Sequence, residues 1–137
     1  FLGFVSHDEL PLIYKAADIF IRPSLTEGLG NSFLEAMASG DCIVIPKSQP
    51  DTSVDLITDE LLDNSAVYRI PFPPTSSNVK KAIDTLFFNS KLRESMSLNV
   101  LNQSKKFITS WDERINRELK IISSFIKTKT KTKYFFD

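Results

Sequence analysis

The sequence has one cysteine, one histidine, one tryptophan, two methionines and only four glycines. A single cysteine, Cys42, excludes an internal disulfide and any multi-cysteine zinc site. It lies in the apolar run Cys42-Ile43-Val44-Ile45, where a buried and inert thiol is expected. His7 is alone, so it cannot build a metal cluster by itself, and it reads as a surface-loop residue. No run approaches the ~18 apolar residues of a membrane-spanning helix. No leader with a basic start and an apolar middle is visible. Neither sign of charge is in excess: 17 Lys plus Arg stand against 17 Asp plus Glu. That balance argues against nucleic acid as a general partner. No internal repeat is present.

What remains is an ordinary globular composition, 42% hydrophobic and 25% charged. Its 137 residues suffice for one domain with a real core. The chain opens Phe1-Leu2-Gly3-Phe4-Val5, without Met and inside what reads as a core strand. A piece of a longer protein is therefore expected.

The centre of the chain is the stretch from Arg22 to Gly40. Asp18-Ile19-Phe20-Ile21 before it reads as a short buried strand. Pro23 and Ser24 end that strand. Glu27, Gly28, Leu29 and Gly30 form a loop that can approach a ligand closely, because glycine carries no Cβ. A helix is expected from Asn31 or Ser32, with Phe33, Leu34, Met37 and Ala38 on its apolar face and Gly40 as its left-handed stop. A strand, a glycine loop and a helix start together make an anion site, since the first helical N–H groups lack partners and lie at the positive end of the dipole. Two carboxylates flank the loop, Glu27 and Glu35, with seven residues between them. Phosphate would repel both, so each should face neutral hydroxyls. A nucleotide-sugar, with phosphates between two hydroxyl-rich rings, meets that requirement. The competing reading is plain: Ser32-Phe33-Leu34-Glu35 is also a capping-box pattern, and Glu27 a solvated loop residue.

The stretch resembles the signature of the family 4 retaining glycosyltransferases of the GT-B fold. Glu27, Gly28, Leu29, Gly30, Leu34, Glu35, Ala36, Met37, Ala38 and Gly40 match that signature residue for residue. The resemblance implies an α/β fold: a Rossmann-like parallel sheet with C-terminal helices, the C-terminal half of a GT-B enzyme with its first strands missing. It implies that Glu27 is the catalytic-site acid that holds the donor's sugar hydroxyls, and that Glu35 holds the ribose hydroxyls. The Leu29-Gly30-Asn31 backbone would lie against the diphosphate, next to Gly28. Val5, after Gly3-Phe4, becomes a candidate contact to the base. The implied donor is a nucleotide-diphosphate sugar, UDP ahead of GDP, with no cofactor and no metal. A sugar or lipid acceptor and an N-terminal domain are the implied partners. Two other functions share the fold: a non-catalytic nucleotide-sugar or protein-binding module, and a nucleotide-sugar 2-epimerase-like isomerase.

In the family order 3-2-1-4-5-6, the strand at Phe1–Val5 would be the third, and the first two would be absent. The strands at Asp18–Ile21, Cys42–Ile45 and Ala66–Ile70 would be the fourth to sixth. After the Cys42–Ile45 strand the family carries a Gly-Gly pair and then a Glu. Here Lys47-Ser48-Gln49-Pro50-Asp51-Thr52-Ser53-Val54-Asp55 stands instead, and Lys47 is placed to approach a phosphate.

Elsewhere a helix is expected from about Glu9 to Ala17, capped by Ser6 or Asp8, with Leu10, Leu12, Ile13 and Ala16 inward. Thr58–Ser65 reads as a helical turn and a loop. Later helices are expected at about Ser77–Phe88 and Ser90–Phe107. Ser110-Trp111-Asp112-Glu113 opens a last helix as a capping box, with Ile115, Leu119, Ile122, Phe125 and Ile126 as its apolar stripe. The domain is expected to span residues 1–126. Residues 127–137, which carry Lys127, Lys129, Lys131 and Lys133, read as a disordered basic tail with weak affinity for an anionic membrane surface. A cytoplasmic place, peripheral at the inner face of the membrane, follows from that reading.

Overall fold

The computed structural model describes residues 1–25, 29–49 and 56–132, leaving aside the side chains of 56–57 and 127–132. The elements run α1 (Leu10–Ala16), β1 (Ile19–Ile21), α2 (Asn31–Ser39), β2 (Cys42–Pro46), α3 (Leu56–Leu61), β3 (Val67–Ile70), α4 (Ser76–Phe87), α5 (Ser90–Ser104) and α6 (Trp111–Thr132). The three strands form one parallel sheet in the order β1-β2-β3. Ile19 pairs with Cys42 and Ile43 with Val67. Among the described residues this matches the order expected for the fourth to sixth strands.

β2 lies in the middle and is buried along its whole length, as an apolar β-branched run in a parallel sheet should be. Its side chains alternate between faces. Ile43 and Ile45 enter a core with Phe33, Met37, Leu62, Ala66, Val67 and Val100. Cys42 and Val44 enter a second core with Ile70, Ala82, Leu86 and Met96. α5 supplies Met96 to one cluster and Val100 to the other, so a single helix ties the two layers together.

Several expectations change. Phe1–Val5 does not form a strand: Phe1, Leu2 and Phe4 are exposed and Gly3 has φ +70°. A strand needs a neighbour to satisfy its backbone, and among the described residues none lies beside this segment. α1 has Glu9 at its N-cap, without a side-chain cap. Instead the Ser6 N–H and hydroxyl both donate to the Glu9 carboxylate, at 3.3 and 2.7 Å. Leu12 and Ala16 are exposed, not inward. On α2 it is Ala36, not Ala38, that joins Phe33 and Met37 in the core. α4 begins one residue earlier than expected, capped by Thr75, whose Oγ1 accepts from the Asn78 N–H at 3.2 Å.

The capping box of α6 is present: the Ser110 N–H donates to Glu113 at 3.0 Å, and the Glu113 N–H donates to Ser110 Oγ at 3.3 Å. α6 continues to Thr132, so the first residues of the expected tail are helical. Its stripe of Ile115, Leu119, Ile122, Phe125 and Ile126 is exposed, and Arg114 covers the Trp111 ring at 5.7 Å. No helix among the described residues is long and apolar enough to cross a membrane.

Candidate functional site

α2 carries the site, and its ends are set by glycine. Gly30 occupies the N-cap in an extended conformation and brings no side chain to cap the helix. The Phe33 N–H donates to the Gly30 carbonyl at 3.1 Å. Ser32 is therefore already inside the helix, and Ser32-x-x-Glu35 is not a capping box here. Because α2 follows β1 directly, its positive end lies where β1 finishes. Ligands gather at the carboxyl edge of such sheets. Arg22, almost fully buried at the end of β1, places its guanidinium 5.2 Å from the Phe33 ring centre.

Between α1 and α2 there is a cavity of about 180 Å³, lined by His7, Leu10, Pro11, Tyr14, Glu35, Ala38 and Ser39. At ~30 Å³ per water molecule it has room for one small ring. Glu35 lies a turn into α2 on the wall of this cavity, half-buried. Tyr14 of α1 lines the same cavity. Burial pushes the Tyr14 phenol up to about 12, and the nearby Glu35 carboxylate, then the charge of Asp41, add to the effect. The Tyr14 ring packs at a tilt against Phe20 of β1, with centroids 6.4 Å apart.

The other sequence-derived positions are distributed as follows. Leu29 is 37% exposed, Gly30 half-buried and Asn31 exposed. Val5 is half-buried and is not among the residues that line the cavity. Glu27 and Gly28 lie outside the described residues, as do 50–55 of the loop after β2. Lys47 is exposed, and its N–H donates to the Ile70 carbonyl at 2.8 Å. Tyr14 is a cavity residue that the sequence reading did not pick out, and His7, read there as a surface-loop residue, is exposed and also lines the cavity. The only signal in the sequence was a polar-tipped ring on a helix whose other inward positions are aliphatic.

A second cavity of about 280 Å³ lies at the opposite edge of the sheet, where β1 and β2 begin; its walls include Asp18, Asp41, Cys42, Arg93 and Glu94. Asp41 is 3% exposed, and its Oδ2 has no hydrogen-bond partner. Burial, and then the charge of Asp18, push its carboxyl up to about 6. Cys42 is fully buried and its Sγ donates to the Arg93 carbonyl at 3.1 Å. Burial raises that thiol to about 11, which makes it unreactive. Among the described residues no three metal-ligating side chains converge.

The family model for glycosyl transferases group 1 matches residues 1–103. The chain belongs to that family. An uncharacterised glycosyltransferase of Methanocaldococcus jannaschii is 32% identical to this group 1 chain over 115 residues, covering 82% of the chain and 27% of the relative. The mannosylfructose-phosphate synthase of Agrobacterium fabrum is 47% identical over 45 residues, 33% of this chain and 10% of that enzyme. Among solved structures, the C-terminal domain of a group 1 glycosyl transferase from Francisella tularensis superimposes with a TM-score of 0.64 at 29% identity, covering 78% of this chain and 52% of that one. Sucrose-phosphate synthase from Thermosynechococcus elongatus gives a TM-score of 0.75 at 18% identity, over 93% of this chain and 30% of that one. That second likeness is one of fold alone. The group 1 chain thus has the α/β architecture of a GT-B C-terminal domain, and it spans about a quarter of the length of the archaeal relative.

Proposed function

We propose that this chain forms the donor-binding side of an enzyme that moves a sugar, with retention, from a nucleotide-diphosphate sugar to an acceptor. The observation that carries the reading is Glu35: a half-buried carboxylate on the wall of a ring-sized cavity, one turn inside a helix that starts at the carboxyl edge of the sheet. An acceptor-only group in that position suits a pair of ribose hydroxyls. The uncapped first turn of α2 would then receive the diphosphate, and its amides would stabilise the negative charge that grows as the sugar departs. Glu27 would hold the sugar hydroxyls, by the resemblance of the loop. No metal is required in this scheme, and UDP is the expected nucleotide ahead of GDP. The acceptor would be bound outside these residues.

Calorimetric titration of the intact protein with UDP and with GDP tests the reading. A hydrogen bond to a charged group is worth about 1.5–3 kcal/mol, so Glu35→Ala should weaken binding of the preferred nucleotide roughly tenfold or more. Equal affinity in wild type and variant would remove Glu35 from the site and the reading with it.

A further inference from the structure

We propose that the cavity where β1 and β2 begin is a binding site for a small primary amine, taken up as its ammonium ion. It lies at the C-terminal end of α2, and the donor-site reading concerns the rest of that helix, so the two can fail separately.

The cavity of about 280 Å³ carries three carboxylates on its walls, Asp18, Asp41 and Glu94, against one guanidinium, Arg93. Arg93 is engaged elsewhere. Its Nη1 donates to the Leu86 and Phe87 carbonyls at 2.7 and 3.1 Å, and its Nε stays 3.9 Å from Asp18 Oδ1. Asp41 is 3% exposed, and its Oδ2 has no hydrogen-bond partner. A carboxylate buried in that state costs stability unless a cation joins it. The end of α2 deepens the deficit. Ser39 and the Gly40 C-cap belong to the same wall, and the last turn of α2 has no basic residue. That is the negative end of the helix dipole, where a cation is favoured and an acid is not. Lys15, the basic residue in the last turn of α1, is exposed and is not among the residues that line the cavity.

An ammonium group suits these walls. It is a compact charge with three donors and no acceptor. The available acceptors come from separate elements: Asp41 after α2, Asp18 before β1 and Ser97 on α5. A guanidinium would want two acceptors in one plane. A divalent metal fits less well, since among the described residues no three metal-ligating side chains converge. At ~30 Å³ per water molecule, the volume admits a short alkyl chain behind the charged head.

The intact protein is titrated calorimetrically with n-butylammonium chloride at pH 7.5 and constant ionic strength, and with 1-butanol as the uncharged control. The ammonium ion should bind saturably and more tightly than the alcohol. Asp41→Asn keeps the size of the side chain and removes its charge, and it should weaken butylammonium binding about tenfold or more, the range of a hydrogen bond to a charged group. Binding to wild type should also weaken from pH 7.5 to pH 5, because burial and Asp18 hold the Asp41 carboxyl up at about 6 and its charge is then largely lost. This arm needs no variant. Equal affinity for the amine and the alcohol would overturn the proposal. So would the absence of saturable amine binding, equal affinity in wild type and Asp41→Asn, or an affinity in wild type that does not change with pH.

Discussion

Replacing Gly40 by alanine attacks the end of the helix that carries Glu35, and its cost can be worked from two separate sources. Gly40 is the C-cap of α2 at φ +81°. Its N–H reaches the carbonyls of Ala36 at 3.0 Å and Met37 at 3.3 Å, and the Asp41 N–H returns to Ala36 at 3.1 Å. A side chain at this left-handed position costs about 1–2 kcal/mol, since Cβ crowds the following carbonyl. The second source is packing. A Cβ on Gly40 would stand 2.8 Å from Leu101 Cγ, 3.0 Å from Cδ1 and 3.1 Å from Cδ2. Cγ is the branch point of the leucine, not its far end, so the side chain cannot swing aside without leaving its rotamer or pushing α5 from α2. Overpacking of this kind costs about 1–3 kcal/mol. Together Gly40→Ala should destabilise the fold by about 2–5 kcal/mol, which is a large part of the stability of a small domain.

Urea denaturation reads this directly, as a lower midpoint at constant slope. Leu101→Ala supplies the control. It leaves a cavity of its own, but in the double variant the overlap is gone. The two losses should then sum to more than the double variant shows, by about 1–3 kcal/mol. Strict additivity would refute the packing half of the argument. A Gly40→Ala loss below about 0.5 kcal/mol would refute both halves, because the left-handed penalty alone exceeds it.

Asp41 gives a pH test. Its carboxyl is raised from about 4 to about 6 by burial and by Asp18, so the folded chain binds the extra proton between those values. Stability should therefore be highest below pH 4 on this account and fall as pH rises through 6. Asp41→Asn removes the slope and should gain on wild type by about 1–3 kcal/mol at pH 7, at about 1.4 kcal/mol per pKa unit. A stability gap that stays the same at pH 4 and pH 7 would contradict it. The Thr75 cap is simpler: Thr75→Ala leaves the Asn78 N–H without its acceptor and should cost about 1 kcal/mol in the same urea assay. Thr75→Ser should recover most of it, and failure of that rescue would assign the loss to the missing methyl instead.

Most of the fold was legible because it rests on local rules. The apolar runs around Phe20, Val44 and Val67 became parallel strands in the expected order, and Gly40 stopped α2 where a left-handed residue was called for. The errors have physical causes. Phe1–Val5 has strand composition but no partner among the described residues, and a strand is made by pairing, not by composition. The apolar stripe of α6 has helical spacing, yet spacing does not say whether another surface covers it, and here the stripe is exposed. At the site, Glu35 was visible from its distance to Glu27 in sequence. Tyr14 was not, because it shares a cavity with Glu35 only once α1 and α2 are packed side by side.

The two roles of α2 can be separated on one short helix. Phe33, Ala36, Met37 and Gly40 follow the three- and four-residue spacing of one face, and all four are buried. Glu35, Ala38 and Ser39 follow the same spacing on a different face and line the cavity. The first stripe is held against Ile43, Ile45 and Val100, so changes there must move the whole helix. The second stripe has space in front of it, so changes there alter what the cavity can hold at little cost to packing. A family signature that runs continuously through Leu34-Glu35-Ala36-Met37-Ala38 thus mixes two constraints that periodicity pulls apart. Substitutions on the 33/36/37/40 face should register in denaturation before they register in nucleotide binding, and those on the 35/38/39 face in the reverse order.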